Sequence, residues 1–499
     1  MGIIQTQTIK GTIYSYLGIG IGFVITAILF PRILSTEEIG LIKLLVSFSV
    51  LFAQLSSLGF INVINRLFPY FRDKESGHNG ILLLGVVFTL AGFILSIAGL
   101  EIFKPVLIEN NADNSFLFLN YVNYLVPLIF FTAFFNLFDS YIKALYNAVV
   151  GTVLKELIQR VFILGGIVFF YLDLVNFHQF VLLYTAALSL PTLILLFILF
   201  RKGEIKIKLP PKSLFKLHRK EILDLCAYGL LIGFGGIAII QIDSILVNKF
   251  LGLSLTGIYA TNFFFATIIL IPSRPLIKIA TTILAEAWKR NDLKEIQLIY
   301  QKSSINQAVI GILIFIGLWV NIDNIYILLG DPEFEAGKWV IFFVGLANVF
   351  DMFTGINAVI IQTSSYFRIN AIITFIFLFL IVAFNLILIP LMGITGAGIA
   401  GLIAVVVTNS IRFFYLKVKF GLSPFHPRLF IIIVIAGFSY LIAYIIPVFD
   451  NYIIDIIIRS SLCGGLFMAL IIVFGVSEEI NSIFNTFREK LNIKPPNKS

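Results

Sequence analysis

The chain has 499 residues, of which 59% are hydrophobic and only 13% are charged, against roughly 25% charged in an ordinary soluble domain. A soluble protein of this length could not hide so much apolar surface, so lipid must cover part of it. The net charge of +9 does not point to nucleic acid, because the basic residues are scattered through short loops between apolar runs rather than gathered in one patch.

Fourteen runs long and apolar enough to cross a bilayer as helices follow one another along the chain. The first six cover residues 11–30, 39–63, 81–100, 124–146, 152–172 and 179–200. The next six cover 225–247, 256–277, 304–321, 338–361, 370–390 and 396–416, and the last two 429–447 and 456–476. The pattern predicts an all-α polytopic membrane protein with 14 transmembrane helices. No small-residue cleavage site follows the first run, so a removable signal peptide is not expected. The longest polar stretches, 201–221 and 286–303, are too short to fold as soluble domains. Cys226 and Cys463 lie in or beside apolar runs and give neither a disulfide framework nor a metal-type spacing.

Charge sets the expected orientation. With the N-terminus in the cytoplasm, all Lys and Arg except Arg32, Lys43, Lys104, Lys249, Lys338 and Arg459 fall on or toward the inner side. That bias places both termini inside.

Two correspondences indicate a duplication. The first helix ends in Phe30-Pro-Arg-Ile-Leu34 with Gly40 opening the second; the seventh ends in Val247-Asn-Lys-Phe-Leu251 with Gly257 in the matching place. Helix 4 carries Asn136-Leu-Phe-Asp139, and helix 10 carries Asn348-Val-Phe-Asp351. Both matches join elements six helices apart. An even-numbered repeat enters from the same side in each copy, so two parallel six-helix repeats with a cleft between them are expected, plus two C-terminal helices. The expected division is a first lobe over 1–200, a basic cytoplasmic linker over 201–221, a second lobe over 222–416, helices 13 and 14 over 417–476, and a cytoplasmic tail over 477–499.

An ionisable residue deep in a membrane helix is costly and commonly faces protein or a water-filled cavity. Asp351, Asp139 and Asp243 are the acidic candidates for lining the cleft, where they would bind a coupling cation or shape the field. A second reading stands beside the first. Asp139 lies four residues before Lys143, a spacing that allows a neutralising pair, and Asp243 lies near the outer end of its helix, within reach of water. The basic candidates are Lys43, Arg66, Lys143, Arg274 and Lys278. Arg274 and Lys278 share a helix face loosened by Pro272 and Pro275, and clustered cations suit a diphosphate. Snorkelling to the cytoplasmic interface accounts for them equally well.

Ile480, Ile483, Phe484, Phe487 and Leu491 recur at helical spacing, as expected of an amphipathic helix on the inner membrane surface. Trp288, Leu293, Ile296 and Ile299 read the same way. No P-loop is present, so ATP hydrolysis on this chain is not expected. The four histidines, His78, His178, His218 and His426, are far apart and carry no ligand spacing, so no metal or other cofactor is expected. The reading is of a non-enzyme.

The pattern resembles the Wzx-type polysaccharide flippases of the multidrug/oligosaccharidyl-lipid/polysaccharide exporter superfamily. The resemblance rests on the six-plus-six-plus-two helices and on Phe30-Pro-Arg-Ile-Leu-Ser-Thr-Glu-Glu-Ile-Gly40, similar to the family's Arg-x-Leu-Gly-x-x-x-x-Gly turn. Ser35 stands in place of the usual first glycine, whereas the second copy keeps Gly252. Asp351 to Asn370 and Gly393-Ile-Thr-Gly-Ala-Gly-Ile-Ala400 also look like family segments. The resemblance implies a multi-pass protein of the bacterial inner membrane with a cationic central cavity. It further implies flipping of an undecaprenyl-diphosphate-linked oligosaccharide from inner to outer leaflet by alternating access, for O-antigen, capsule or exopolysaccharide synthesis. Expected partners are the lipid-linked oligosaccharide, membrane lipids and polysaccharide polymerase machinery, with no nucleic acid. The first rival is a cation-coupled multidrug antiporter of the same superfamily, which usually has 12 helices and often an acid in helix 1; the flippase for the peptidoglycan precursor also has 14 helices, but its Arg-rich first helix pair is missing here. A membrane-embedded glycan polymerase or glycosyltransferase would need catalytic carboxylates on a sizeable outer loop; the loop over 101–123 offers only Glu109 and Asp113 with little room.

Overall fold

The computed structural model describes residues 3–109, 116–147, 149–206 and 208–490, and every regular element among them is helical. Asp113 and the tail beyond residue 490, including Leu491, lie outside the described residues. Among the described residues, twelve segments are long and apolar enough to cross a membrane, against the fourteen expected, and large side chains such as Phe379 and Leu391 stand exposed on them. The chain is an all-α polytopic membrane protein. It packs as two units, Met1–Thr261 and Asn262–Ser499, so the whole of the stretch expected as a linker, 201–221, lies inside the first.

The first unit starts with α1 (Ile3–Phe23), which passes through a π-helical turn at Val24–Leu29 into α2 (Phe30–Ile33). Ser35 then caps α3 (Thr36–Ser56): its hydroxyl accepts from the Glu38 amide, and the Glu38 carboxylate accepts from the Ser35 amide. This reciprocal cap lets Ser35 take the place of the glycine found in the related turn. The expected second helix does not run on to residue 63. Leu58 and Gly59 turn left-handed, with φ of 43° and 74°, and a Cβ on Gly59 would lie 2.1 Å from the Cys226 carbonyl. The chain restarts as the amphipathic α4 (Phe60–Phe71), which buries Phe60, Val63, Ile64, Leu67 and Phe71 on one stripe.

The unit continues with α5 (Ile81–Glu109), α6 (Phe116–Tyr121), α7 (Leu125–Ala144), α8 (Val149–Val153), α9 (Gln159–Tyr171) and α10 (Phe177–Arg201). A π-helical turn at Leu154–Ile158 joins α8 to α9. This joined segment occupies the place of the expected fifth helix, and Lys155, Glu156 and Arg160 make it too charged to rank among the twelve. The long α11 (Lys212–Thr267) follows. At about 1.5 Å per residue its 56 residues would far exceed a bilayer core of about 30 Å. Gly252, at φ 84° and ψ −178°, breaks it; its first arm covers the expected helix 7, and its second only residues 256–267 of the expected helix 8, whose end lies in α12 (Ser273–Lys289).

The two copies of the duplicated turn meet in this unit. A Cβ on Gly40 would lie 2.0 Å from the Leu253 carbonyl oxygen, and one on Gly257 would lie 1.9 Å from that of Thr36. Thr36 and Ser254 share a hydroxyl hydrogen bond of 2.9 Å beside them. A backbone carbonyl can come this close only where the residue facing it lacks a side chain.

The second unit holds α12 (Ser273–Lys289), α13 (Leu293–Val320), α14 (Ile322–Leu329), α15 (Lys338–Phe353), α16 (Asn357–Thr363), α17 (Phe367–Met392) and α18 (Ile394–Phe420). Last come α19 (Arg428–Ile445), α20 (Tyr452–Val473) and α21 (Glu478–Lys490). Gly421, left-handed at φ 72°, ends α18 just after Lys417 and Lys419 in its last turn. The segment expected as a surface helix around Trp288 packs on protein in part, while Leu293 stays exposed. Ile296 is fully buried, and the Trp288 indole donates to the Ile360 carbonyl at 3.0 Å. Both cysteines are free and buried.

Candidate functional site

Lys43 and Asp243, far apart in sequence, come together in the first unit because α3 and α11 pack through the paired glycines. The Lys43 ammonium donates to Gln241 Oε1 at 3.2 Å, and the Ser47 hydroxyl donates to the same oxygen at 2.9 Å. Asp243 does not reach water at a helix end. It is buried, accepts from the Tyr259 hydroxyl at 3.0 Å, and attracts the Lys43 ammonium. Low dielectric makes such a network strong when satisfied and costly when broken.

Asp139 and Lys143 pair on one face of α7. The other carboxylate oxygen, Oδ1, is buried without a hydrogen bond and lies where a Cβ on Gly151 would come within 1.7 Å. Glycine at 151 is therefore what lets α8 lie against that carboxylate. Arg66 stands on the outer stripe of α4, 3.7 Å from Glu221 and 70% exposed. Such a pair is worth little.

In the second unit, the helix carrying Asp351 ends two residues later at Phe353, and the chain turns through Gly355 at φ 68° before α16. The expected run 338–361 is thus two pieces, and Asp351 sits beside the break. Its carboxylate accepts from Asn409 at 3.0 Å, and the Asn409 carbonyl accepts from Asn357 at 2.9 Å. Arg412 reaches the same carbonyl at 3.5 Å and donates to Asn370 at 3.2 Å. One acid, three amides and one guanidinium thus link α15, α16, α17 and α18. Arg274 and Lys278 lie in the first two turns of α12, after a 3-10 turn at Ile268–Leu270 and Pro272. Both are exposed, and neither side chain has a hydrogen-bond or ion-pair partner among the described residues.

Sequence reasoning passed over several of these groups. Arg412 and Asn409 both lie in the apolar run over 396–416 and were not singled out, although their spacing of three places them on one helix face. Arg459, expected on or toward the outer side, forms a buried pair with Asp455 at 2.8 Å, the two side chains 6% and 2% exposed. The guanidinium also donates to the carbonyls of Ala443 and Ile446, and Asn324 donates to Asp455. This dry pair ties α20 to the end of α19 and to α14, a structural role. Its spacing of four was the available signal. Among the described residues, no group of three His, Cys, Asp or Glu converges as metal ligands would.

No family model matches the sequence, and no curated protein matches it. Solved structures do. The chain is similar to the lipid II flippase MurJ in an inward closed conformation, with a TM-score of 0.72 at 14% identity, covering 94% of this chain and 98% of that one. It is similar to an inward-facing multidrug resistance MATE family transporter of the MOP superfamily, at TM-score 0.60 and 13% identity, over 81% of this chain and 98% of that one. A MATE protein in complex with MaD3S follows at TM-score 0.53 and 16% identity, over 83% and 95%. These neighbours are transporters and flippases rather than enzymes, and what the chain shares with them at such identities is the fold: this is a multi-pass membrane protein built on the helical frame of the lipid II flippase and the MATE transporters.

Proposed function

We propose that the protein flips an undecaprenyl-diphosphate-linked oligosaccharide from the inner to the outer leaflet by alternating access, for the synthesis of a surface polysaccharide. The observation that carries this reading is Arg274 with Lys278: two exposed cations at the start of α12, neither neutralised by an acid among the described residues. An unmatched guanidinium and ammonium suit a diphosphate, which Arg contacts bidentately and Lys as a point charge. The fold sets the frame. A lipid II flippase matches nearly the whole chain, but fold alone does not fix chemistry. A sugar and a diphosphate crossing hydrocarbon would lose their hydration, and polar groups such as the Asp351 network replace water while the isoprenoid tail remains in lipid. In this reading the protein lies in the bacterial cell membrane, both termini are cytoplasmic, and polysaccharide polymerase machinery receives the product.

The MATE likeness favours a second reading, a cation-coupled multidrug antiporter, with Asp351 as the acid exchanging a cation for the drug. Reconstitution separates the two. Proteoliposomes loaded with a fluorescent polyprenyl-diphosphate oligosaccharide should expose it to an impermeant quencher faster than empty vesicles do, and Arg274→Ala should slow that exposure. Unchanged exposure of the lipid, together with ion-driven uptake of a cationic dye, would give the antiporter instead. In cells, Arg274→Ala, Lys43→Ala and Asp351→Ala should each reduce surface glycan in a flippase-null strain at normal expression.

A further inference from the structure

We propose that the turn Gly77–Gly80 is a clasp that closes over the polar strap between α10 and α11 and fixes it to the first unit, so that the strap is a rigid tie and not a flexible joint. Four residues in succession, Gly77, His78, Asn79 and Gly80, are left-handed, with φ of 70°, 53°, 48° and 73°. A run of this kind is rare, because outside glycine each side chain crowds the following carbonyl. Strain at His78 and Asn79 persists only where the surroundings hold it in place. The Asn79 amide donates to the Phe71 carbonyl that ends α4, at 3.2 Å, but the larger hold comes from the strap.

The His78 imidazole, 5% exposed, meets the Glu204 carboxylate of the strap at 3.1 Å. Its ring lies against Phe68 of α4 and Tyr141 of α7, with centroids 5.2 and 6.1 Å away. The other ring nitrogen, Nδ1, is buried without a hydrogen bond, so Glu204 is what the ring's polar edge depends on. A second tie runs the opposite way: the Lys206 ammonium donates to the Lys74 and Glu75 carbonyls at 3.2 and 3.0 Å, in the loop that leads into the turn. Between these ties Ile205 packs on the core that holds Phe68, Phe71 and Tyr141. Both glycines fit the strap closely. A Cβ on Gly80 would lie 2.0 Å from the Lys208 carbonyl oxygen, and one on Gly77 would lie 2.7 Å from the Lys206 Cβ. Loss of Glu204 would leave a buried imidazole unpaired, which is costlier than the bond itself. The turn and the strap therefore hold each other, and this clasp stands whatever the protein carries.

Trypsin digestion of the purified full-length protein in detergent, with cuts located by mass spectrometry, reads the clasp at Lys206 and Lys208. Cleavage of a held segment requires local opening, and its rate follows the population of the open form. In the wild type both strap cuts should be slower than the cut after Arg290, which lies in an exposed turn of the second unit. His78→Phe keeps a ring against Phe68 and Tyr141 but removes the tie to Glu204. It should speed the strap cuts about tenfold, the worth of one hydrogen bond to a charged group, and leave the Arg290 cut unchanged. Glu204→Ala should do the same, and the double variant should be no faster than either single. Should His78→Phe fail to fold, Glu204→Ala decides, since its change lies on the strap. Wild-type strap cuts as fast as that at Arg290, or unaltered rates in Glu204→Ala, would overturn the clasp. Equal acceleration at Arg290 would overturn it too, since that marks unfolding of the whole protein.

Discussion

Replacing Gly257 with alanine tests the closest approach in the first unit. The new Cβ would sit 1.9 Å from the Thr36 carbonyl oxygen, whereas ordinary contact begins at 3.4 Å. The obstacle is backbone, which cannot rotate aside, so α3 and the second arm of α11 must part by about 1.5 Å, forfeiting dispersion contacts along the seam. Overpacking of this kind costs about 1–3 kcal/mol. Gly40→Ala meets the Leu253 carbonyl at 2.0 Å and should cost a similar amount. Because one separation relieves both clashes, the double variant should cost clearly less than the two singles together. Unfolding free energies of the purified protein in mixed micelles, measured for the two singles and the double, complete the cycle. Wild-type stability in Gly257→Ala would refute backbone contact at this point, and strict additivity would refute a shared seam.

Other expectations follow from the polar groups. Arg459→Ala leaves Asp455 buried without its cation and should destabilise the protein by about 3–5 kcal/mol, whereas Asp455→Leu with Arg459→Met should be much milder; equal losses would show that the pair is not dry. Asp351→Asn keeps an oxygen for the Asn409 amide but leaves Arg412 without its counter-charge. It should preserve folding, judged by a monodisperse elution profile, and reduce transport in the liposome assay; full transport would remove that charge from the mechanism. Burial raises the Glu479 carboxyl, yet hydrogen bonds from Lys302 and Asn306 and the Lys302 charge outweigh it and hold it below its usual 4.5. The docking of α21 on α13 through Lys302 should thus be complete above that value and weaken only as pH falls below it. Limited proteolysis of the tail should show protection at neutral pH and its loss in acid; acid-independent protection would mean that apolar packing alone holds α21.

How much of this was legible in the sequence varies from element to element. The apolar runs showed a polytopic helical protein because hydrocarbon demands about 20 residues per crossing whatever the tertiary structure. The sequence also matched Gly40 with Gly257 by position, although nothing in their spacing said that they touch. Breaks inside the runs were not legible. Leu58–Gly59 and Thr354–Ile356 interrupt apolar stretches with only a glycine at each to mark the turn, and many other glycines in the apolar runs sit inside unbroken helices, so the packing of neighbouring helices selects which one turns.

Charge pairing depended even more on tertiary structure. The sequence by itself determined which helices carry ionisable groups, and it allowed Asp139 and Lys143 to meet, since four residues along one helix fix their neighbourhood. Only the tertiary structure decided that Lys43 meets Gln241 and Asp243, that Asp351 joins Asn409 and Arg412, and that Arg459 is locked in a dry pair. Composition and periodicity act through each residue's own exchange between water and lipid, which every helix makes independently. The partner of a charge depends on which helix faces rotate toward one another, and that is settled only when the whole bundle packs.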